Sequence, residues 1–225
     1  MPYTVVSSVA ELPPYDSMSF TDGQGRGYRY YNGSGSQFLF GDGLSFTTWT
    51  YSNLHLSPAP LAAGGTGGGG TGTGGGRGDG GGTEPTIQPC VNVTVEATVA
   101  NSGARNGSEV AQLYIAVHDD HGRGIRRPRY QLAGVARLAD MPPGATARVR
   151  FVLSAWARSV VYGDGRRYLE PGRVTVWVGG SSPDGLARKA VQSADLVVAG
   201  IAAPVPLSFC DAASAPAGSA PRAFF

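Results

Sequence analysis

Hydrophobic and polar residues alternate along the centre of the chain. From Val91 to Val99, valine or alanine occupies every odd position, and asparagine, threonine or glutamate every even one. A period of two places alternate side chains on opposite faces of an extended strand, so one face can be apolar and the other polar. The pattern returns at Val174, Val176 and Val178. We therefore predict strands that open and close a block from Val91 to Gly180.

Further β-forming segments lie between these two runs, with turn signals at the joints. They cover residues 109–117, 130–138 and 145–153, and Pro142-Pro143-Gly144 and Gly163-Asp164-Gly165 are the turns. Short strands at this spacing are typical of an immunoglobulin or fibronectin III-like β-sandwich. We predict an all-β sandwich over residues 90–199. In it, residues 109–117 continue the sheet of the first strand.

The segments on either side of the sandwich differ from it in composition. Residues 57–89 contain a glycine-rich tract, Gly64 to Gly82, which cannot bury a core and predicts a disordered linker. Alanine, proline and serine dominate after Ala199, so residues 200–225 are expected to form a disordered tail.

Charge and apolar patterning exclude several classes of function. The net charge of +2 over 225 residues is too small and too scattered to indicate a nucleic-acid partner. No apolar stretch predicts a membrane span, and no signal peptide is recognisable, so the localisation of this chain is left open. His118 and His121 lack the spacing of metal ligands. We expect no metal and no cofactor.

Two stretches near the N-terminus are more distinctive. Gly27 to Tyr31 reads GYRYY, and Phe40 to Leu54 reads FGDGLSFTTWTYSNL. They resemble the end of the second catalytic-region domain in family 3 glycoside hydrolases. Met18 to Phe20 (MSF) leans toward the β-xylosidase branch. The resemblance implies that residues 1–56 are a remnant of an α/β domain.

The sandwich block is similar to the fibronectin type III-like domain that closes many of those enzymes. The matching residues are Val99–Gly103 (VANSG), Gly107–Tyr114 (GSEVAQLY), Pro142–Gly144, Glu170–Gly172 and Val178–Gly180. The resemblance implies an accessory domain of a β-xylosidase or β-glucosidase type enzyme that hydrolyses O-glycosyl bonds in xylan catabolism. Its partners would be the catalytic domains of the parent enzyme or a polysaccharide, and an extracellular location is expected for the parent family.

The chain alone is predicted to be inactive. A retaining glycosidase needs two carboxyl groups about 5–5.5 Å apart. In the family, the nucleophilic aspartate belongs to a barrel and the acid/base to a region upstream of the GLSF-like stretch, and neither region is present. The remaining candidates lie in turn contexts and are interpreted as turn carboxylates: Asp16, Asp22, Asp42, Asp164 and Glu170. We predict no catalytic residue.

Aromatic and basic residues supply the candidates for binding. Tyr28, Arg29, Tyr30 and Tyr31 could border a sugar cleft, or they could pack the end of a truncated domain. Trp177 is expected on a sheet surface, where it would meet a carbohydrate or a partner domain, or be covered by the C-terminal tail. A basic loop could bind phosphate or an acidic polysaccharide, or be simply solvated; its arginines are Arg123, Arg126, Arg127 and Arg129.

Three sequons and two cysteines complete the candidates. Asn32, Asn92 and Asn106 fit the N-glycosylation pattern, and Cys90 and Cys210 could form a disulfide in an oxidising compartment. Arg77-Gly78-Asp79 spells an adhesion motif, which chance explains in a glycine tract. The alternatives to an accessory domain are a free-standing binding module for carbohydrate or protein, and a structural adhesion-type domain.

Overall fold

The computed structural model describes residues 2–33, 36–58, 85–118, 127–183, 191–200 and 203–204. The predicted linker from Gly64 to Gly82, the Arg77-Gly78-Asp79 motif, the tail beyond residue 204, Cys210, and Arg123 and Arg126 lie outside the described residues. The elements in chain order are β1 (Val5–Val6), a 3-10 helix (Val9–Glu11), α1 (Gly27–Tyr30), β2 (Ser36–Phe38), β3 (Trp49–Pro58), β4 (Thr86–Ile87), β5 (Val93–Asn101), β6 (Gly107–Val117), β7 (Gln131–Met141), β8 (Thr146–Leu153), α2 (Ala155–Arg158), β9 (Val160–Val161), β10 (Arg167–Leu169), β11 (Gly172–Gly179), β12 (Gln192–Val198) and β13 (Ala203–Pro204).

Two sheets face each other and form the predicted β-sandwich. One has five strands in the order β4-β12-β11-β6-β7, and the other has three in the order β3-β5-β8. Their facing side chains form one apolar core that includes Val95, Val99, Leu113, Phe151 and Val176. The alternation seen in the sequence builds this core, since odd positions of β5 and β8 and even positions of β11 point inward. The all-β sandwich is confirmed.

The sandwich begins earlier in the chain than the sequence predicts, with strand β3. It pairs antiparallel with β5 from Trp49 opposite Asn101 to Pro58 opposite Val93. The predicted boundary at residue 56 therefore falls inside a sandwich strand. The register shifts between Ser52 and His55, and Asn53 has a φ of 54°. This bulge changes the phase of the inward side chains, which hides the strand from a search for strict alternation.

Strand β6 also differs from the expectation. It does not continue the sheet of β5 but lies in the facing five-stranded sheet, between β11 and β7. Its side chains are buried on both faces from Ala111 to Ala116. A nearly continuous apolar run is the signature of a strand covered on both sides. The expected polar outer face of this sheet is therefore covered by other parts of the chain.

The predicted turn at Gly163-Asp164-Gly165 is present in the structure. Strands β9 and β10 form an antiparallel hairpin around Gly163-Asp164-Gly165, with Arg167 opposite Val161. The N–H of Gly165 donates to the carbonyl of Tyr162 at 2.9 Å, and Gly165 has a φ of 77°. This positive φ explains why glycine stands there.

Neighbouring residues on β8 provide a test of this register. Leu153 is fully buried, whereas Val152 is 58% exposed. We expect Leu153→Ala to lower the free energy of unfolding by about 2–5 kcal/mol, because it removes core contacts and leaves a cavity. Val152→Ala should change it by no more than about 0.5 kcal/mol. Urea unfolding of both variants makes the comparison, and equal losses would contradict the described register.

Candidate functional site

The N-terminal segment covers the outer face of the five-stranded sheet through a cluster of aromatic rings, which we call the seam. Tyr28 of α1 stacks on Phe40 with ring centroids 4.0 Å apart and planes at 12°. Tyr114 of β6 meets both rings edge-on, at 6.3 and 6.4 Å. Tyr130 joins the cluster against Tyr114 and Trp177. Offset stacking and edge-to-face pairs of this kind add to the burial of the rings.

Hydrogen bonds of the backbone connect the same two parts. The N–H of Ser182 donates to the carbonyl of Phe40 at 2.9 Å, and the N–H of Arg129 donates to the carbonyl of Arg29 at 2.7 Å. The Tyr28 hydroxyl accepts from the N–H of Leu132 at 3.1 Å. Because these polar groups satisfy one another, the segment is an integral layer of the fold.

Gln112 is the polar centre of the seam. Its side-chain nitrogen donates to the carbonyls of Gly41 and Gly180 at 3.1 and 2.9 Å, and its oxygen accepts from the Tyr114 hydroxyl at 2.6 Å. Gly41 has a φ of 82°, and a Cβ there would overlap the Gln112 amide. Glycine is therefore required at Gly41, whereas a Cβ at Gly43 would meet nothing.

The predicted sugar-rim residues separate into two groups. Tyr31 is buried and its hydroxyl donates to Glu11, and Tyr28 belongs to the seam, so both pack the fold. Trp177 is half-buried against Tyr130, which corrects its expected place on an open sheet surface. Arg29 is exposed and Tyr30 is half-buried, and these two side chains line a cleft.

This cleft, the arginine cleft, consists of two adjoining cavities of about 280 and 300 Å³. Tyr30 and Arg127 line both of them. Arg29 and Arg167 line the first cavity and Arg129 the second. Among the residues that the structure describes, no aspartate or glutamate lines either cavity.

The arginines of the cleft are held by specific partners, and Arg129 donates to the carbonyl of Tyr31. Arg127 pairs with Glu170, and the two side chains are only 10% and 0% exposed. Arg167 donates to the Ser159 hydroxyl at 3.1 Å, and its guanidinium lies 3.9 Å from the centroid of the Trp156 ring. Partial burial lowers the pKa of Arg167. The sequence does not predict Arg167 and Trp156 as site residues, because they are distant from the basic loop in the chain and only the fold brings them near it.

The turn carboxylates form local hydrogen bonds. Asp22 accepts from the Ser17 hydroxyl at 2.8 Å, and Asp42 accepts from the N–H of Leu39 at 3.0 Å. Asp164 accepts from the N–H of Arg166, which, as the largest effect, lowers the pKa of Asp164. Asp16 is exposed. Within the described ranges, no three His, Cys, Asp or Glu side chains are grouped as a metal site would require.

The sequons differ in accessibility. Asn32 and Asn106 are exposed, and Ser34 of the first sequon lies outside the described residues. Asn92 was expected on a polar face, but it is half-buried and its side-chain oxygen accepts from the N–H of Ala155 at 3.2 Å. Thr94 of that sequon is buried. In the folded protein, Asn106 is more accessible than Asn92.

Cys90 lies in the turn before β5, next to a buried arginine. Arg158 donates to the carbonyls of Pro89 and Val91, and burial lowers its pKa to about 10. Cys90 packs against Ala155 and Leu169 and is engaged in a disulfide. Its predicted partner, Cys210, is outside the described residues, so the pairing stays a prediction.

Comparison with known proteins identifies the domain. Residues 109–182 match the family model of the fibronectin type III-like domain. The chain is 33% identical over 171 residues to a probable β-glucosidase D of Aspergillus flavus, which covers 74% of this chain and 20% of the relative. A β-xylosidase of Formosa agariphila is 36% identical over 89 residues, 40% of this chain and 12% of the relative. The chain contains a fibronectin type III-like domain and resembles the corresponding part of family 3 glycoside hydrolases.

Two further comparisons extend along most of the chain. A periplasmic β-glucosidase of Salmonella typhimurium is 28% identical over 195 residues, 80% of the chain and 20% of the relative. The solved GH3 β-glucosidase of Bifidobacterium adolescentis superposes with a TM-score of 0.63 at 22% identity, covering 92% of the chain and 26% of that structure. The chain spans 12–20% of the length of these curated relatives. In the part that the structure describes, no helix has the length and apolar character needed to cross a membrane.

Two buried tyrosines make the free energy of unfolding depend on pH in the alkaline range. Burial raises the pKa of Tyr51, and Glu109, which accepts a hydrogen bond from the Tyr51 hydroxyl at 2.8 Å, raises it further. Burial also raises the pKa of Tyr114, with smaller effects of Tyr28 and Asp42. Above pH ~10 these tyrosines ionise in the unfolded chain but stay protonated in the folded protein. Their contribution to the stability is therefore complete below pH ~10 and is lost as the pH rises further.

We therefore expect the free energy of unfolding to fall from pH ~10 upward. The double variant Tyr51→Phe/Tyr114→Phe should show a shallower fall, measured by urea unfolding at several pH values. Arg158, whose lowered pKa acts in the opposite direction, is present in both proteins and cancels in the comparison. Identical slopes for the two proteins would contradict the assignment.

Proposed function

We propose that this chain acts as the accessory sandwich of a family 3 glycoside hydrolase and braces the catalytic part of a β-glucosidase or β-xylosidase type enzyme. The seam carries this proposal. Tyr28 and Phe40, in the stretch that resembles the end of the catalytic region, pack on β6 of the sandwich. The sandwich thereby holds the preceding segment in a defined position. The relatives include a β-xylosidase and a probable β-glucosidase, so they support both types of parent enzyme.

Exposed apolar side chains supply the contact surface for the catalytic part. Tyr15, Met18, Leu44 and Phe46 are each more than nine-tenths exposed. Single exposed apolar residues are ordinary, but so many on the segment before β3 favour an interaction site. Trp177, which a free-standing carbohydrate-binding module would expose, is half-buried against Tyr130.

An extracytoplasmic location fits the same role. Cys90 is held in a disulfide, and disulfides persist in oxidising compartments. The Salmonella relative is named as periplasmic. We infer that the enzyme containing this chain works outside the cytoplasm.

The isolated chain should not hydrolyse nitrophenyl β-xyloside or β-glucoside. Its turn carboxylates serve local hydrogen bonds and an ion pair, and a retaining glycosidase needs two carboxyl groups that both face the scissile bond. Release of nitrophenol is the measurement, with a full-length family 3 enzyme as the positive control. Turnover that disappears in Asp42→Asn or Glu170→Gln would show the prediction to be wrong.

Oxidation of methionine tests the docking surface. Met18 is 93% exposed and Met141 is 6% exposed. In the isolated chain, hydrogen peroxide should convert Met18 to the sulfoxide well before Met141. When the chain is joined to the catalytic part in the complete enzyme, Met18 should be protected, as read by peptide mass spectrometry. Equal oxidation of Met18 in both forms would sink the proposal, and Met141 serves as the internal control.

A further inference from the structure

We propose that the arginine cleft binds the carboxylate of a uronic acid residue in an acidic polysaccharide. The cleft lies where the N-terminal segment meets the sandwich, beside β9 and β10. All the residues that define it belong to this chain. The site is therefore independent of the proposed accessory role and can be tested without the catalytic part.

Charge is the first argument for an anionic ligand. Arg29, Arg127, Arg129 and Arg167 converge on two adjoining cavities, whose described lining contains no acidic residue. Glu170 compensates one of them through its ion pair with Arg127. A concave surface lined by charges of one sign focuses the electrostatic field and concentrates ligands of the opposite sign.

Arg127 is the group that points most directly to a ligand. Its side chain is nine-tenths buried, and Glu170 accepts from one terminal nitrogen. The other terminal nitrogen, Nη1, and Nε are buried and have no hydrogen-bond partner among the described residues. Buried donors are normally paired, and each unpaired donor in a native structure needs an explanation. Arg127 lines both cavities, so an anion bound in either of them would lie beside this guanidinium.

The lining also favours a sugar acid over a small inorganic anion. Beside the arginines, the first cavity is also lined by Pro128, Val160 and Val161, and by Tyr30. An apolar or aromatic surface suits the face of a pyranose ring, whereas a phosphate ion would leave it uncovered. A planar carboxylate matches the forked donors of a guanidinium.

Size agrees with a single sugar acid as the anchoring unit. The first cavity, about 280 Å³, is close to the lower limit of roughly 300–1,000 Å³ for small-molecule pockets. The second cavity, about 300 Å³, continues it past Tyr30 toward Asn32 and Gln24. Amide side chains there could hydrogen-bond the hydroxyl groups of a neighbouring sugar. An oligosaccharide with one uronate is therefore the ligand class that the two cavities fit.

Calorimetric titration of the full chain tests the proposal. The probes are a xylo-oligosaccharide with one glucuronic acid branch, the unbranched neutral oligosaccharide of equal length, and inorganic phosphate. We expect heat of binding with the acidic probe, none with the neutral probe, and weaker affinity for the acidic probe as salt concentration rises. Binding of both oligosaccharides with equal affinity would overturn the role of charge. Binding of phosphate without the uronate would make the cleft a phosphate site and overturn the proposal.

Matched variants locate the binding. Arg29→Gln changes an exposed residue of α1 and should weaken binding of the acidic probe about tenfold, since a charge-assisted hydrogen bond is lost. Arg148→Gln changes an exposed arginine on β8, in the other sheet, and should leave the affinity unaltered. The two variants carry the same net charge, so equal weakening in both would overturn the proposed location.

The Arg127 side chain needs a variant that keeps the fold. Arg127→Gln alone leaves Glu170 buried and unpaired, which destabilises a protein strongly. The double variant Arg127→Gln/Glu170→Gln removes both charges and leaves the net charge of the chain unchanged. We expect it to retain a cooperative thermal transition and to lose measurable binding of the acidic probe. A folded double variant with undiminished affinity would show that Arg127 does not contact the ligand.

Discussion

Burial of Gln112 and Tyr114 is the constraint on which the rest of the structure depends. Both residues point away from the sandwich core, and both are nevertheless inaccessible to water. A buried amide is tolerated only when its donors and acceptor are satisfied, because leaving one unpaired costs about 1–3 kcal/mol. Gln112 finds its partners in Gly41, Gly180 and Tyr114. The sheet and the N-terminal segment therefore have to fold against each other.

This mutual dependence also explains where the arginine cleft forms. Arg129 donates through its backbone to Arg29 and through its side chain to the carbonyl of Tyr31, so α1 is fixed beside β7. Arg29 and Tyr30 then line one cavity together with Val160, Val161 and Arg167 of the β9–β10 hairpin. Contacts between structural units are a common place for ligand pockets, because two independently shaped surfaces rarely fill all the space between them.

The sequence predicted the sandwich because alternation reports burial on one face of a strand directly. It worked for β5 and β8, where Val95 and Leu153 point inward between polar neighbours. It failed for β3, since the bulge near Asn53 changes the phase of Tyr51 relative to Leu56. Periodicity carries no information on what covers the second face of a sheet.

The same limitation applied to the candidate site. Tyr28 and Tyr31 belong to one short motif, but the turn at α1 sends one ring into the seam and the other toward Glu11. Arg29 lies between them and points to the cleft. Arg167 is far from Arg29 in the chain, and only the hairpin brings the two together. The sequence indicates the basic loop, but only the fold shows which residues lie next to it.

The ion pair of Arg127 and Glu170 shows how the fold tolerates several like charges at one place. Burying an ion pair carries a desolvation cost that the mutual attraction often fails to offset, so such a pair is weak evidence for stability. Its effect here is geometric, because Glu170 precedes β11 and draws the segment before β7 toward the hairpin. The same carboxylate reduces the repulsion among the four arginines while leaving an excess of positive charge. Replacing a buried ion pair with apolar residues is often neutral or stabilising, so packing alone does not account for the arginines gathered here.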